Sequence, residues 1–224
     1  MVKNIAIDGP CGAGKSTIAR TLAKKLGYIY VDTGALYRAV GFYALLKGAK
    51  PSNAEDVVPL LSEIDVNIAF VNGEQRVFLN GEDVSEKIRT PEISMAASDV
   101  SAIPEVRKFL FGLQLKIARE NNVIMDGRDI GTVVLPNADV KIFLTASPED
   151  RAKRRYEELK CKGADVTYEE IYSDLLKRDY NDSHRETAPL KKAEDAILVD
   201  TTGFPFEKSV ETLLGVILSR LEGK

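Results

Sequence analysis

The sequence predicts an α/β fold, in which a five-stranded parallel sheet is flanked by helices and carries a small inserted antiparallel β meander. Two observations lead to this prediction. Short apolar runs alternate with longer helical patterns, and one internal segment places Asn-Gly pairs between alternating apolar residues. At 224 residues, the chain can form one large domain with a full hydrophobic core.

The parallel sheet is predicted from apolar runs that are bounded by polar or turn residues. These runs are "NIAID" (4–8), "YIYV" (28–31), "VIMD" (123–126), "VKIFLT" (140–145) and "AILVD" (196–200). Near-continuous apolar runs of this kind are typical of strands that helices cover on both faces. Together they suffice for one α/β core.

The segment between the second and third of these strands has a different character. Its runs "VNIAFV" and "QRVFL" and a short run at Val84 are separated by Asn72-Gly73 and Asn80-Gly81. Asn-Gly between alternating apolar residues is the strongest short hairpin signal. We therefore expect an antiparallel meander inserted into the α/β core.

Capping residues predict two helices in the C-terminal half. Ser147, Pro148 and Asp150 fit the N-cap, the first helical position and the capping-box position of one helix. The very basic run "RAKRRYEELKCKG" follows them. Thr167 and Glu170 repeat the capping box before a second helix, so arginines concentrate around the break between the two.

Composition excludes several function classes. With 31 basic and 34 acidic residues the net charge is -3, so no chain-wide cationic field would recruit nucleic acid or an anionic membrane. No stretch is long enough to span a bilayer. A single histidine, His184, and two cysteines make a zinc cage or a Cys/His nucleophile pair hard to assemble. The chemistry must rest on Arg, Lys, Asp and backbone groups.

The cysteines also bear on location. Cys11 and Cys161 are far apart in a chain without an apolar targeting segment, which favours a reducing cytosol over a disulfide framework. We expect a cytoplasmic monomer, because no exposed apolar heptad or other assembly signature is evident.

The most specific motif is "GPCGAGKS" at residues 9–16, which matches G-x-x-x-x-G-K-[ST]. It follows the strand "NIAID" and opens into the amphipathic pattern "TIARTLAKKLG". Backbone N–H groups of such a loop surround a phosphate, Lys15 reaches the terminal phosphates and Ser16 can bind magnesium. ATP or GTP is therefore expected to bind through its phosphates. The predicted loop residues are Gly9, Pro10, Cys11, Gly12, Ala13, Gly14, Lys15, Ser16 and Thr17.

Cys11 within this loop has two interpretations. A thiol near a helix N-terminus can have a lowered pKa and become oxidisable. A small residue that fills a tight loop is the alternative, and the sequence leaves both open.

A phosphate-binding loop identifies the donor but not the reaction. A GTPase should contain a guanine-reading N-K-x-D motif, which this sequence lacks, and "DTTG" at 200–203 resembles the GTPase D-x-x-G only in composition. Asp126, which ends the apolar strand "VIMD", is the best candidate for the acidic residue that holds magnesium through a water.

Two further stretches carry charged residues directly after strands. In "YIYVDTGALYRAV", Arg38 follows Thr33 by one to two helical turns and offers a planar fork of donors suited to phosphate or carboxylate. In "IMDGRDIGTVV", two carboxylates surround Arg128 at the end of a strand. The second arrangement is either a buried structural ion pair or a functional turn.

These motifs, in their order, resemble the bacterial cytidylate kinases among the nucleoside monophosphate kinases. The resemblance covers nearly the whole chain and is carried by "IAIDGPCGAGKST", "VDTGALYRA", "NGEDVSEKIRTPEIS", "MDGRDIGTVVLPNADVKIFLTAS", "RAKRRYEEL" and "KRDYNDSHRETAPL". The loop reads G-K-S where many bacterial nucleotide kinases have G-K-G, a departure that concerns how magnesium is held.

The resemblance implies a P-loop kinase that transfers a phosphoryl group from ATP to CMP or dCMP with Mg²⁺. It implies a core of residues 1–35, 99–150 and 166–224, a monophosphate-binding region of residues 36–98 that contains the meander, and a helical lid of residues 151–165. The lid arginines Arg151, Arg154 and Arg155 would close over ATP. Lys15, Asp126, Arg128 and Arg154 would be the catalytic residues, with Ser16 and Asp126 at the metal.

The resemblance also implies roles on the acceptor side. It places Arg38 and Arg128 on the phosphate of CMP, Asp129 with Ser98 and Arg107 on the cytosine edge, and Arg178 and Asp182 with Thr33 around the ribose. The further acceptor residues that it implies are Tyr37, Gly127 and Arg185. Cytosine presents an N4 amino donor beside acceptors, which one carboxylate or hydroxyl and one cationic donor can match.

Two other functions stay open. A related kinase could act on UMP, dTMP or an alcohol such as shikimate, and an alcohol acceptor would recast Asp129 as a catalytic base. A monophosphate acceptor needs no base, because its attacking oxygen is already ionised near neutral pH. The second alternative is a non-catalytic nucleotide sensor, which ATP turnover that depends on CMP would exclude.

Overall fold

The computed structural model describes residues 2–71, 73–161 and 163–223. Its strands are β1 (Asn4–Asp8), β2 (Ile29–Asp32), β3 (Val66–Val71), β4 (Glu74–Leu79), β5 (Glu82–Asp83), β6 (Val123–Gly127), β7 (Val140–Thr145) and β8 (Ile197–Asp200). Its α-helices are α1 (Lys15–Leu26), α2 (Thr33–Leu46), α3 (Ala54–Leu60), α4 (Pro91–Val100), α5 (Pro104–Glu120), α6 (Pro148–Cys161), α7 (Tyr168–His184) and α8 (Phe206–Glu222). All five predicted parallel strands are confirmed, within one residue at each end.

The parallel sheet has the strand order β2-β6-β1-β7-β8. In its register, Asp32 at the end of β2 lies opposite Asp126 of β6, and Asp8 at the end of β1 lies opposite Gly127. The carboxyl ends of the three strands therefore meet at one edge. Ligands of open α/β sheets bind outside this edge.

Helices cover both faces of the parallel sheet. On one face, Ile5 and Ile7 of β1 pack with Leu22 of α1 and Leu213 of α8. Ala6, between them in sequence, faces the opposite cluster, which includes α5 residues. Because strand side chains alternate between faces, β1 is apolar throughout and contributes to both layers of the core.

The inserted meander forms the separate antiparallel sheet β3-β4-β5. Asn72 of the first predicted Asn-Gly turn lies outside the described residues. At the second turn, Asn80 and Gly81 have φ angles of 51° and 82°, as a tight hairpin requires. The third strand is Glu82–Asp83 rather than a run centred on Val84, although the Val84 N–H still donates to the Val77 carbonyl at 2.9 Å.

The two predicted capping boxes have different outcomes. The one at Thr167 and Glu170 is complete. At α6, Ser147 accepts from the Asp150 N–H at 3.2 Å, but the reciprocal bond is absent because Thr202 takes the Ser147 N–H. The Asp150 carboxylate turns instead to the Gly203 N–H.

Both cysteines, Cys11 and Cys161, are free thiols. Within the described ranges, none of the helices combines the length and hydropathy needed to cross a bilayer.

Candidate active site

A cavity of about 800 Å³ opens at the carboxyl edge of the parallel sheet. It is lined by the phosphate loop, the starts of α1 and α2, parts of α4 and α5, the turn after β6, and α6 and α7. Every predicted site residue lines it except Gly9, Pro10 and Arg151. The fold therefore brings the predicted donor and acceptor residues to one continuous space.

The phosphate loop begins with a close contact to the sheet. Gly9 has a φ of 151°, and a Cβ at this position would lie 1.9 Å from the Leu144 carbonyl oxygen of β7. Only glycine fits such an approach. The loop ends at Gly14, with a φ of 86°, immediately before α1, so its backbone N–H groups face the cavity from a helix N-terminus.

Lys15 is buried and held by its own loop. Its Nζ donates to the Gly9 and Pro10 carbonyl oxygens, each at 2.7 Å. Burial lowers the pKa of Lys15, and nearby Arg128 lowers it further. Polyphosphate bound in the loop would favour the charged ammonium, because an opposite charge stabilises the protonated form.

Ser16 and Asp126 form the other polar contact of the donor side. Ser16 Oγ donates to Asp126 Oδ2 at 2.8 Å, and the Tyr30 hydroxyl donates to Oδ1 at 3.1 Å. Burial raises the pKa of Asp126, and Asp32 across the register raises it further. A nearby cation would reverse this shift and keep the carboxylate ionised.

Arg151 lies behind the phosphate loop rather than in the cavity. Its Nη1 donates to the Cys11 carbonyl at 2.8 Å and to Asp179 at 2.6 Å, and its Nε donates to the Ala146 carbonyl at 2.9 Å. Asp179 in turn accepts from the Cys11 N–H. This position braces the loop and does not support the expected ATP contact.

The other two predicted lid arginines do line the cavity. Arg154 donates to the Thr201 carbonyl at 2.7 Å, and its Nη1 lies 3.9 Å from where a Cβ of Gly14 would be. Arg155 pairs with Glu158 at 2.7 Å, one turn further along α6. Of these two arginines, Arg154 is the one that lies beside Gly14 of the phosphate loop.

Asp32 organises the start of α2. One carboxylate oxygen accepts from the Ala35 N–H at 3.0 Å and caps the helix, while the other accepts from Arg38 at 2.5 Å. Burial opposes ionisation, but Arg38 outweighs it and lowers the pKa of Asp32. Arg38 Nε is buried and has no hydrogen-bond partner.

A second ion pair joins the turn after β6 to α7. Arg128 Nε donates to Asp182 at 2.7 Å, and Ser98 Oγ of α4 donates to the other oxygen of Asp182 at 3.4 Å. Burial opposes ionisation of Asp182, but Arg128 holds the pKa of this carboxyl below its ordinary value. Arg178, one turn earlier on α7, has a buried Nε without a hydrogen-bond partner.

Asp129 is the centre of the third charged cluster. Arg107 of α5 donates to Oδ2, and Arg185 lies 3.6 Å from Oδ1. Tyr37 lies beneath the Arg107 guanidinium, which is 5.5 Å from the ring centroid. Arg185 also donates to Ser101 Oγ at 2.9 Å, so this cluster connects α2, α5, the turn after β6 and the end of α7.

The turn that carries Arg128 and Asp129 is held from β1. A Cβ on Gly127 would lie 2.7 Å from Ile130, and the chain then forms a π-helical turn at Ile130–Val134. Asp8 accepts from the Ile130 and Gly131 N–H groups at 2.8 and 2.7 Å. Burial raises the pKa of Asp8 to about 6.

Sequence reasoning missed Asp8 and Asp179. Asp8 ends an apolar strand immediately before the phosphate loop, and this position was a signal that could have been used. Asp179 carries no local signal, because only the packing of α7 against the loop brings it to Cys11.

The arrangement defines a class of protein. A phosphate-binding loop at the carboxyl edge of a parallel sheet, facing arginines that are paired with carboxylates, is the site of a P-loop kinase that acts on a small anionic acceptor. A crystal structure of an uncharacterized protein from Eubacterium ventriosum has the same fold, with a TM-score of 0.54 at 14% identity and full coverage of both chains.

Sequence comparison gives the family. The profile described as Cytidylate kinase matches residues 5–219. The cytidylate kinase of Caldicellulosiruptor bescii is 56% identical over 94% of this chain and 93% of its own. That of Carboxydothermus hydrogenoformans is 55% identical over 95% and 96% of the two chains. The chain belongs to the cytidylate kinase family and is a nucleoside monophosphate kinase.

Proposed function

We propose that this protein transfers the γ-phosphoryl group of ATP to CMP, and also to dCMP, giving CDP or dCDP and ADP. The observation that carries the proposal is the single cavity of about 800 Å³ in which the phosphate loop faces three arginine–carboxylate clusters. A cavity of this size can hold two nucleotides end to end. The family of the chain gives the acceptor class independently of the geometry.

On the donor side, the loop amides and Lys15 bind the β- and γ-phosphates. Ser16 Oγ and the Asp126 carboxylate, 2.8 Å apart, are hard oxygen groups that fit Mg²⁺, which takes few protein ligands and completes its shell with water and phosphate. When bound, the metal neutralises phosphate charge. Arg154 adds a cation beside Gly14, where charge develops during transfer.

On the acceptor side, Arg38 and Arg128 bind the phosphate of CMP. Among the described residues, Arg38 has a buried Nε without a hydrogen-bond partner and one ion pair, with Asp32, so it retains donors for a phosphate. Arg128 uses its Nε for Asp182. Arginine suits this role because its planar fork matches phosphate oxygens.

The base and ribose are assigned to neighbouring residues. Asp129, Ser98 and Arg107 read the cytosine edge, with Tyr37 and Arg185 completing the wall of that subsite. Thr33, Arg178 and Asp182 surround the ribose. Gly127 is assigned to the acceptor side because it lets the turn fold tightly beside the acceptor. Any side chain at this position would clash with Ile130 of the same turn.

The chemistry needs no general base. The attacking phosphate oxygen of CMP is already ionised, so the enzyme must align two polyanions and stabilise the charge on the transferring group. Lys15, Arg128 and Arg154 supply fixed positive charge from three sides of the cavity. The alcohol-kinase alternative, which makes Asp129 a base, is less well supported because both of its oxygens already lie next to arginines.

The division of the chain into a core, a monophosphate-binding region and a lid belongs to the same proposal. The proposed lid of residues 151–165 closes over ATP and excludes water. Since Arg151 is tied to the loop, movement begins after it, near Arg154. ATP and CMP together should slow amide exchange across 152–161, with residues 213–222 of α8, which do not line the cavity, as an internal reference. Unchanged exchange across 152–161 would exclude a moving lid.

A coupled assay of ADP formation tests the function directly. We expect turnover with CMP and dCMP that far exceeds turnover with UMP, dTMP, AMP or shikimate, and no ATP consumption without an acceptor. Preference for another monophosphate or for the alcohol would replace the proposed acceptor. Absence of turnover with every acceptor, despite ATP binding, would support the nucleotide sensor instead.

A cytoplasmic, monomeric state is also proposed. Two free thiols fit a reducing compartment. Light scattering on the purified protein measures the mass in solution, and a dimer would contradict the proposed monomer.

A further inference from the structure

The inserted meander contacts the catalytic core at the exposed edge of β2. This strand is the edge of the parallel sheet, with β6 on one side only. An edge strand presents unpaired backbone N–H and C=O groups. At Asp32, the last residue of β2, both the backbone N–H and the backbone carbonyl are hydrogen-bonded to a side chain of the meander.

Gln75 of β4 takes both of them. The Asp32 N–H donates to Gln75 Oε1 at 2.8 Å, and Gln75 Nε2 donates to the Asp32 carbonyl at 3.2 Å. One half-buried carboxamide thus takes the place of the next strand at this residue. A primary amide is the side chain that can offer a donor and an acceptor side by side.

The contact reaches the acceptor side through Asp32. The carboxylate of this residue caps α2 through the Ala35 N–H and holds Arg38 at 2.5 Å. A smaller cavity of about 250 Å³ between the meander and β2 is lined by Gln75 and shares Asp32 and Arg38 with the main cavity. Gln75 therefore holds the backbone of Asp32, and the carboxylate of Asp32 holds Arg38.

We propose that Gln75 is a positioning residue for the acceptor phosphate. By fixing the backbone of Asp32, it sets the direction from which the Asp32 carboxylate holds Arg38, and so keeps the unpartnered Arg38 Nε available for a phosphate oxygen. The meander thereby acquires a part in acceptor binding without touching the acceptor. The inference rests on the proposed function of Arg38.

The test is Gln75→Ala in the full-length protein, with steady-state kinetics for both substrates. Loss of two hydrogen bonds, each of modest net value, should raise KM for CMP about fivefold. The kcat and the KM for ATP should change less than about twofold, because the donor side has no contact with Gln75. Equal KM values for CMP in the variant and the wild type would overturn the inference.

A second readout separates positioning from loosening of the meander. Since Gln75 acts through the phosphate-binding arginine, Gln75→Ala should weaken binding of CMP but leave inhibition by cytidine, which lacks the phosphate, unchanged. Equal weakening of both ligands would indicate a general structural role and contradict the proposal.

Arg76→Ala is the matched control on the same strand. It removes an ion pair with Asp83 inside the meander, at 2.8 Å, and does not touch Asp32. It should leave KM for CMP unchanged. An increase equal to that of Gln75→Ala would refute a specific role of Gln75.

Gln75→Glu carries the test if Gln75→Ala does not fold. It keeps an acceptor for the Asp32 N–H but places an oxygen against the Asp32 carbonyl, so the CMP-specific increase in KM should persist.

A wild-type protein that does not phosphorylate CMP would refute the proposed function, whereas an active wild type with unaffected Gln75 variants would refute only this inference.

Discussion

The phosphate loop and the acceptor side face each other across one cavity but hold their charged groups in different ways. Lys15 donates to two backbone carbonyls of its own loop. On the acceptor side, Arg38, Arg107 and Arg128 each pair with a different carboxylate, namely those of Asp32, Asp129 and Asp182. The donor side is thus shaped by backbone, whereas the acceptor side is shaped by side chains that neutralise one another.

This difference bears on function. A bound polyphosphate finds the loop amides and Lys15 already arranged, so the phosphate loop itself should need little rearrangement. A bound monophosphate must share or displace carboxylates that now hold the arginines. We therefore propose that selectivity belongs to the acceptor side, where the exchange of each arginine's partner would depend on the shape and hydrogen-bonding pattern of the incoming molecule.

The largest expected effect is the loss of stability caused by Arg151→Ala, because Arg151 braces the phosphate loop on the donor side. Arg151 is 4% exposed, and Arg151→Ala would remove the donor to Asp179 Oδ2 and to the Cys11 and Ala146 carbonyl oxygens, while Asp179 Oδ1 would keep the Cys11 N–H. Removing one partner of a buried pair costs about 3–5 kcal/mol, and we expect a loss in the lower part of that range by urea denaturation.

Arg155→Ala, on the same helix, is the control for this change. Its pair with Glu158 is partly exposed, so a change below about 1 kcal/mol is expected. If Arg151→Ala kept its stability but lost affinity for ATP, Arg151 would be a ligand-binding residue rather than a brace.

Lys15→Met should remove the main donor charge without unfolding the protein. Lys15→Met also removes the donor to the Gly9 and Pro10 carbonyl oxygens. Because burial lowers the pKa of Lys15, removal of an unfavourable buried charge offsets part of that loss, so the variant should still fold. Turnover should fall at least about a hundredfold in kcat, as expected for the loss of a preorganised electrostatic contact. Near-normal kcat in a folded variant would contradict the donor assignment.

Asp8 links the two sides, and its ionisation gives a pH signature. Its folded pKa of about 6 lies above the ordinary carboxyl value because of burial. Because its pKa is raised on folding, protonated Asp8 contributes to the free energy of unfolding. This contribution is fully present below the unfolded pKa of about 4 and is lost as the pH rises through the folded pKa.

Asp8→Asn removes this titration while keeping the shape of the side chain. Between pH 4 and pH 8, the free energy of unfolding of the variant relative to wild type should increase by about 2 kcal/mol. Urea denaturation at several pH values measures this difference. A difference that stays constant with pH would show that Asp8 titrates normally.

The sequence predicted the phosphate loop and the elements on either side of it well, because the residues that define them are contiguous. The loop at residues 9–16, the preceding strand and the following helix lie within one short segment, and the structure has all three in place. The five parallel strands were equally predictable, since each is a short, mostly apolar run, and β1, β6 and most of β7 are buried on both faces.

The pairing within the acceptor side could not be predicted from periodicity or spacing. Asp129 meets Arg107 and Arg185, and Arg128 meets Asp182, only after α5 and α7 pack against the turn. The resemblance named all five of these residues but not the ion pairs between them. For Arg151 the sequence suggested a role that the structure does not support. Its place in a basic helix gave no sign that its side chain would lie behind the phosphate loop and bind the Cys11 carbonyl.

The central claim is that the acceptor side reads cytosine through Asp129. Asp129→Asn keeps the shape of the side chain but replaces one acceptor oxygen by an amide donor, which suits the 4-oxo group of uracil better than the amino group of cytosine. The test compares kcat/KM for two substrates of the same enzyme sample. A partial loss of folded enzyme lowers both values by the same factor and leaves their ratio unchanged.

The decisive measurement is the ratio of kcat/KM for CMP to kcat/KM for UMP, at saturating ATP, in wild type and Asp129→Asn. We predict a shift of about tenfold towards UMP, smaller than the discrimination of a fully closed site because the acceptor side is open to solvent. An unchanged ratio with a uniformly lower kcat would make Asp129 a general base or a structural residue, and would contradict the specificity that we assign to it.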